Sequence, residues 1–308
     1  MSLFVVLFAA AAWDLLLDEP PSAAHPVVWM GKYVGAFWNR RPAEVTDRKR
    51  LIFGGIIVLT GALVFSLPPL LLRFLPGLVA MLLAIPLLKC VFSIGALLRA
   101  GEGVMRAVDL NDLPEARKQL SWSLVSRDTE GLSASEVVGA AIESLSENLT
   151  DSLASPLFFY SLFGLPGAYF YRYINTCDSM IGYRGGDFEW GGKIAARVDD
   201  VLNWIPSRIA SVLLLLAGAA AGEDIVRGVA ALRDERGKTA SPNAGWTMSV
   251  MAGLLRVTLE KRDCYSIEGG DEPLDTAVLA RCLRVVRICS AMILAFAAAL
   301  GGLGALFT

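Results

Sequence analysis

The stretch ESLSENLTDSLASPLFFYSLFGLPGAYFY, residues 143–171, decides how the chain folds. It begins with carboxylates and amides and passes directly into an apolar segment that GLPG, residues 164–167, divides. Ionisable side chains cost free energy near a bilayer, so a series of them beside an apolar segment indicates a site with a function. Polar residues resume after the apolar segment and continue to Arg208.

The composition of the whole chain indicates a membrane protein. Of its 308 residues, 55% are hydrophobic and 19% are charged, and a soluble domain of this length needs fewer apolar side chains. The net charge of -2 offers no basic face, so we expect no nucleic-acid partner. One histidine and five cysteines without a CxxC pair argue against a histidine-rich metal centre, a zinc site or a disulfide framework.

Several apolar segments approach the roughly 20 residues that a helix needs to cross a bilayer. They predict an all-α, polytopic integral membrane protein of the inner (plasma) membrane, with additional helical segments on the cytoplasmic side. We expect a single membrane-embedded domain over residues 1–308. The predicted spans are 3–17, 51–72, 78–98 and 285–307.

Two middle segments, 153–171 and 205–222, fit either a full span or a partly inserted, re-entrant hairpin. The positive-inside rule gives a consistent topology if both segments cross or if neither does. Full crossing of both would leave the polar segment 172–204 alone on the far side. We therefore favour partial insertion of both segments, with the active site on the cytoplasmic side.

Three carboxylates, Glu143, Glu147 and Asp151, are spaced i, i+4, i+8 and share one helical face if the helix continues past Asn148. Like charges at this spacing repel, so the pattern suits Mg²⁺ held by the carboxylates and by Asn148. The alternative is a solvated helix face that basic residues elsewhere balance. The apolar sequence directly after Asp151 favours the metal site.

Two polar clusters follow the divided apolar segment. The run 175–184 combines short donors and acceptors with Arg184, whose planar fork can bind phosphate or carboxylate, although a turn stabilised by Asn and Asp is the alternative. In the run 193–203, two pairs of polar residues lie four apart, which also suits an ordinary salt-bridge lattice on one helix.

Two further features stand near the ends of the chain. The loop SPNAGW, residues 241–246, precedes an apolar helix, so its exposed amides and Ser241 could hold an anion, or it could be an ordinary cap. Asp14 interrupts the first apolar run and shares a helical face with Asp18, so it is either functional or turned into a polar interior. No P-loop is present, because Leu232 stands where the first glycine before Gly237-Lys238-Thr239 belongs.

Together these motifs resemble the adenosylcobinamide-phosphate synthase family of cobalamin biosynthesis, called CbiB or CobD. The resemblance covers nearly the whole chain. The chain departs from the family pattern at Cys177, usually leucine, and at Asp18-Glu19-Pro20, usually Gly-Asp-Pro. The matching pieces are Asp14 with His25-Pro26, Arg127-Asp128-Thr129, Glu143 to Asp151, Asn175 to Arg184, Asp199-Asp200 with Asn203, and Ser241 to Trp246.

The resemblance implies an ATP-dependent C–N ligase that joins adenosylcobyric acid to an amino alcohol phosphate, usually aminopropanol phosphate. ATP would be the co-substrate and Mg²⁺ the cofactor. We assign Mg²⁺ to Glu143, Glu147, Asn148 and Asp151, catalytic roles to Asp178, Asp200 and Glu147, and substrate or phosphate binding to Asn175, Thr176, Arg184, Lys193, Arg197, Asn203, Ser241, Asn243 and Gly245.

Two other functions stay open as alternatives. The superfamily also resembles AmpE, a membrane signalling protein linked to cell-wall stress, so a sensor without enzymatic activity is the second hypothesis. A small-molecule transporter is the third, since polar groups in broken helices also suit substrate passage. The expected partners are the two substrates, the lipid bilayer, and either further copies of the chain or other membrane-bound enzymes of cobalamin assembly.

Overall fold

The computed structural model describes residues 3–17, 19–41, 46–125, 128–262 and 264–304. Asp18, Arg127 and the last residues of the predicted span 285–307 lie outside the described residues. The helices are α1 (Leu3–Leu16), α2 (Pro26–Trp38), α3 (Asp47–Ser66), α4 (Gly77–Lys89), α5 (Gly95–Asp109), α6 (Leu113–Ser123), α7 (Ala134–Leu149), α8 (Ser155–Ile181), α9 (Phe188–Gly191), α10 (Lys193–Leu202), α11 (Trp204–Ala221), α12 (Ile225–Glu235), α13 (Ala244–Leu255) and α14 (Thr276–Gly304). A 3₁₀ helix (Pro68–Phe74), a π-helix (Thr150–Ala154) and the strands β1 (Thr258–Lys261) and β2 (Tyr265–Glu268) complete the described elements.

Four helical segments of the described residues are long and apolar enough to cross a bilayer. The prediction of an all-α, polytopic membrane protein is therefore confirmed. The predicted segments 51–72 and 205–222 fall in two of these candidates, whereas the first predicted span forms only the short apolar helix α1. The four candidates are Asp47–Phe74, Ala134–Ile181, Trp204–Ala221 and Thr276–Gly302.

The predicted span 78–98 does not form one continuous helix. Helix α4 ends at Lys89, and α5 begins at Gly95 after an irregular segment. Val91 and Phe92 of that segment are buried inside the protein, so their apolar character reflects internal packing rather than contact with lipid.

The segment 256–276, which its Gly and Asp content predicts to be an exposed loop, contains an antiparallel β-hairpin instead. Leu259 of β1 pairs with Ile267 of β2, and both side chains are fully buried. The hairpin packs against α7 and α13. Strands this short give too few alternating residues for sequence periodicity to detect.

The chain folds into two compact units, whereas the sequence predicts a single domain. Each unit is assembled from segments that are distant in sequence, so neither corresponds to a continuous stretch of chain. The first unit comprises Met1–Ser93, Ser155–Asn203 and Phe296–Thr308, and the second comprises Ile94–Ala154 and Trp204–Ala295.

Within the first unit, helix α8 reverses direction at Gly164. This residue has φ 64° and ψ -158°, a conformation essentially restricted to glycine. The rings of Phe159 and Tyr171 stack with their centroids 5.5 Å apart, whereas a straight helix would separate these residues by about 18 Å. The chain reversal favours a re-entrant segment, and its insertion into the membrane stays a prediction.

An ion-pair cluster joins two polar segments of the first unit. Asp187 pairs with Arg41 at 3.0 Å and with Arg50 at 3.5 Å. This contact supports a common side for 172–204 and 18–50, as partial insertion of segment 153–171 predicts, and the topology itself stays a prediction.

Candidate functional site

A buried hydrogen-bond network in the first unit centres on Asp199. The side-chain nitrogen of Asn203 donates to Asp199 Oδ2 at 2.8 Å, and that of Asn175 donates to Oδ1 at 3.4 Å. Asn203 Oδ1 accepts hydrogen bonds from the hydroxyl of Tyr171 at 2.9 Å and from that of Ser155 at 2.5 Å. The network therefore holds one carboxylate and two amides in fixed orientations.

Two helices supply this network. The i, i+4 spacing on α10 brings Asn203 under Asp199, as the sequence predicts, and α8 supplies the remaining partners. Asp199 is 8% exposed, and burial raises its pKa, with a further increase from the negative charge of Asp178 that the two amide donors only partly oppose. A carboxylate kept in this environment is a candidate for proton transfer.

Asp178 and Asp200 flank the buried network. The negative charges of both act on Asp199, so three carboxylates lie close together. The Asp178 side chain occupies the space beside Gly182, where an added Cβ would lie 1.9 Å from Asp178 Oδ1. Glycine at position 182 thus leaves room for this carboxylate. A group of three carboxylates attracts a positively charged ligand such as an ammonium group.

The predicted basic and hydroxyl ligands of this region do not join the described network. Arg184 is exposed, and Lys193 lies over the ring of Trp190 at 3.9 Å. Arg197 is exposed and pairs with Asp200 at 3.7 Å, which matches the salt-bridge alternative for this helix. The hydroxyl of Thr176 donates to a backbone carbonyl of its own helix. Phosphate binding by these residues stays a prediction.

The carboxylate series of the second unit begins on α7. Ser133 and Glu136 form the capping box that their S-x-x-E spacing predicts, and the helix continues to Leu149. From Thr150 it becomes a π-helix, whose wider turn moves Asp151 out of the predicted i+8 position. Single π turns inside α-helices occur frequently at functional sites.

Glu143 and Glu147 keep the predicted i, i+4 relation on α7, with Glu143 buried and Glu147 half-buried. The amide of Asn148 already donates to Ser144 O at 2.9 Å and accepts from Ser152 Oγ at 2.8 Å. Within the described ranges, no three His, Cys, Asp or Glu side chains converge on one metal position. Mg²⁺ in proteins is commonly held by one or two carboxylates with phosphates and water, and the glutamate pair fits that smaller set.

The loop 241–246, also in the second unit, does not present free amides for an anion. The backbone amides of Asn243 and Ala244 donate to Ser241 Oγ at 3.2 and 3.5 Å, and that of Gly245 donates to Thr239 Oγ1 at 3.1 Å. Gly245 packs against the backbone, where a Cβ would lie 2.2 Å from the carbonyl oxygen of Arg236. The prediction of exposed amides is therefore wrong, because side chains of the loop itself accept their hydrogen bonds.

A second buried polar cluster lies in the first unit, around Lys89. Its ammonium nitrogen is 2.8 Å from Asp14 Oδ1 and 2.5 Å from Glu19 Oε1, and its side chain is 1% exposed. His25 Nε2 lies 3.5 Å from the other oxygen of Glu19. Although burial opposes the effect, the hydrogen bonds from His25 and Lys89 lower the pKa of Glu19 to about 2. Asp14 is thus turned into a polar interior.

Comparison with known proteins decides the family. The family model described as CobD/Cbib protein matches residues 7–289, which is most of the chain. The chain belongs to the CobD/CbiB family. A probable cobalamin biosynthesis protein CobD from Methanothermobacter thermautotrophicus is 39% identical over 98% of both chains. The cobalamin biosynthesis protein CobD from Dehalococcoides mccartyi is 37% identical over 89% of both chains. No solved structure matches the chain.

In this CobD/CbiB chain, the sequence motifs predict which helices carry polar clusters. They predict fewer of the side-chain contacts within those clusters. The spacing of Asp199 and Asn203 predicts their contact, but it does not predict that Asp199 is the centre of the network in the first unit. Tyr171 and Ser155 carried no signal, because hydroxyl groups in an apolar helix commonly bond to their own backbone. Lys89 and Asp14 did carry one, since opposite charges in two apolar segments indicate a buried pair.

Proposed function

We propose that this CobD/CbiB chain forms an amide bond between adenosylcobyric acid and an amino alcohol phosphate, with ATP and Mg²⁺, to give adenosylcobinamide phosphate. Its membership of the family supports a role in cobalamin biosynthesis and a corrinoid-type substrate. The observation that carries the proposal is the buried Asp199 network with Asp178 and Asp200 beside it. The candidate membrane spans support a membrane enzyme.

The reaction needs an activated carboxylate. ATP transfers a phosphoryl or adenylyl group to one oxygen of the corrinoid carboxylate and releases ADP or pyrophosphate. The amine nitrogen then attacks the carbonyl carbon, and the bond to the substituted oxygen breaks. Phosphate or AMP leaves with that oxygen, and the nitrogen loses a proton as the amide forms. Positioning the two substrates accounts for much of the rate in such a reaction.

The carboxylates of the first unit suit the amine. An amine arrives as an ammonium ion, which three carboxylates attract and which must lose a proton before it can attack. Both oxygens of Asp199 accept hydrogen bonds from amides, so Asp178 and Asp200, which are half-buried, are better placed to accept that proton. In this proposal Asn175 and Asn203 are positioning residues that fix Asp199.

The carboxylates of the second unit suit the metal. Glu147 and Glu143 would hold Mg²⁺, and Asp151 and Asn148 follow them closely along the same helical segment. Bound Mg²⁺ would neutralise negative charge on the phosphate oxygens of ATP. Without it, glutamates on the same face of α7 repel the triphosphate, so these residues also favour the metal-bound form of ATP over free ATP.

Turnover by the purified chain tests the proposal. The full chain in nanodiscs is incubated with adenosylcobyric acid, aminopropanol phosphate and Mg-ATP, and the corrinoid products are separated by mass. The proposal predicts a product heavier by the amino alcohol phosphate less one water, formed in step with ATP cleavage. No product with any of several amino alcohol phosphates would favour the sensor, and movement of unchanged substrate into sealed vesicles would favour the transporter.

A further inference from the structure

Two arginines of the second unit share one indole ring. The guanidinium carbon of Arg208 lies 4.4 Å from the ring centroid of Trp246, and that of Arg236 lies 5.2 Å from it. Trp204 also contacts Arg208, at 4.6 Å. Cation–π attraction offsets part of the repulsion between the two cations, but it neutralises neither charge.

No carboxylate of the described residues forms an ion pair with either arginine. The adjacent Glu235 pairs with Lys238 at 2.8 Å, and Asp234 binds Arg233 with its two oxygens at 2.8 and 2.9 Å, although the charge of Arg236 also acts on Asp234. The two guanidiniums therefore form a concentrated positive charge that no direct ion pair neutralises in the part of the chain that the structure describes. An anion from outside the chain would compensate it.

Each guanidinium uses only one of its nitrogens for protein contacts. Arg208 Nη1 donates to Asn243 Oδ1 at 2.6 Å and to Trp204 O at 2.8 Å. Arg236 Nη1 donates to two carbonyl oxygens at 3.2 and 3.1 Å. The opposite edge of each group, formed by Nε and Nη2, has no acceptor among the described residues. This edge is the one that binds a phosphate group through two parallel hydrogen bonds.

We propose that Arg208 and Arg236, held against Trp246, bind the phosphate group of a ligand. Asn243 fixes the orientation of Arg208, so this residue of the loop 241–246 acts through an arginine rather than through its own amide. This site adds two arginines to the phosphate-binding part of the proposed function. It rests on that function where the bound phosphate belongs to a soluble substrate. A lipid headgroup offers the same chemistry, since Trp204 is 57% exposed at the start of a candidate span, where Trp and Arg are common.

Direct binding to the full chain tests the site without any turnover. Inorganic phosphate is titrated calorimetrically into the protein in a non-ionic detergent, for wild type, Arg236→Gln and Arg233→Gln. Arg233 is the matched control, because it is a neighbouring exposed arginine whose guanidinium is already bound to Asp234. We expect about tenfold weaker binding for Arg236→Gln and less than about twofold for Arg233→Gln. Arg236 is exposed, so its replacement leaves the fold intact.

A second arm identifies the source of the phosphate. The same three proteins are placed in nanodiscs of phosphatidylcholine with or without phosphatidylglycerol, and bound phosphatidylglycerol is counted by native mass spectrometry. Selective loss of lipid in Arg236→Gln supports the site with a headgroup as its ligand, whereas selective loss of inorganic phosphate supports a soluble ligand. Equal binding of both probes by Arg236→Gln and Arg233→Gln, or no saturable binding of either probe to the wild type, overturns the site. A turnover assay that fails while phosphate binding persists would refute the reaction alone.

Discussion

At the scale of single residues, Lys89 shows why an apolar segment is a poor guide to what surrounds it. Its side chain is almost as buried as that of Leu88 beside it, yet it lies between the carboxylates of Asp14 and Glu19. Asp14 is buried with Lys89 beside it, whereas Glu19 is partly exposed, and a nearby cation offsets the cost of burying a carboxylate. The contact with Lys89 gives Glu19 a structural role.

The Lys89→Met substitution tests the strength of this cluster. It removes the positive charge that Asp14 and Glu19 share, so we expect a loss of about 3–5 kcal/mol in the free energy of unfolding, measured by denaturant titration in detergent. The control is Lys118→Met, which removes an exposed lysine paired with Glu115 and should cost less than about 1 kcal/mol. Equal losses in the two variants would show that the buried lysine stabilises the fold no more than an exposed one does.

Asp199 makes a prediction about pH. Because its pKa is raised in the folded protein, the folded state holds the proton more tightly than the unfolded chain does. At pH values below the ordinary pKa of aspartate, Asp199 makes its full contribution to the free energy of unfolding. This contribution is lost as the pH rises through the raised pKa. The unfolding midpoint of the wild type should therefore fall with rising pH more steeply than that of Asp199→Asn. If the unfolding midpoints of the wild type and Asp199→Asn changed equally with pH, the raised pKa of Asp199 would be refuted. The control is Asp109→Asn, on the exposed surface, which should follow the wild type.

Glu147→Gln tests the proposed metal site. The amide keeps the shape of the side chain but loses the charge that attracts Mg²⁺, so we expect the Mg²⁺ concentration for half-maximal amide formation to rise about tenfold or more. The exposed Glu130→Gln in the same unit is the matched control and should leave this requirement unchanged. Full activity of Glu147→Gln at limiting Mg²⁺ would show that Glu147 is not part of the metal site.

At the scale of elements, the sequence predicts that a segment is irregular more readily than it predicts the backbone conformation of that segment. GLPG at residues 164–167 signals a break, and the reversal occurs at its first residue. The π turn after Leu149 has no comparable signal, because its residues suit an α-helix equally well. The β-hairpin was missed because each of its strands has only four residues.

Gly164→Ala tests the reversal of α8. A Cβ at φ 64° and ψ -158° strains the backbone, so we expect a loss of about 1–3 kcal/mol in the free energy of unfolding, measured in detergent. Gly77→Ala is the control, because its added Cβ meets no atom within 4 Å and its φ is not positive. If Gly164→Ala were as stable as Gly77→Ala, the sharp turn would not exist in the folded protein.

At the scale of the whole molecule, composition and span length were enough to predict the fold class, because a bilayer restricts the architecture to helices or closed barrels. The division into two units could not be predicted, since each is built from segments far apart in sequence and their association depends on tertiary packing. The same limit applies to the candidate site. Spacing along one helix predicted the contact between Asp199 and Asn203, whereas partners from another helix, such as Tyr171, became visible only in three dimensions.

The central claim is that this CobD/CbiB chain activates a corrinoid carboxylate with ATP and couples it to an amine. The most direct measurement follows oxygen-18 from the labelled carboxylate of adenosylcobyric acid during turnover by the purified chain. We predict that one labelled oxygen appears in the released phosphate or AMP for each amide formed. Amide formation that leaves the phosphate and AMP unlabelled would contradict the account.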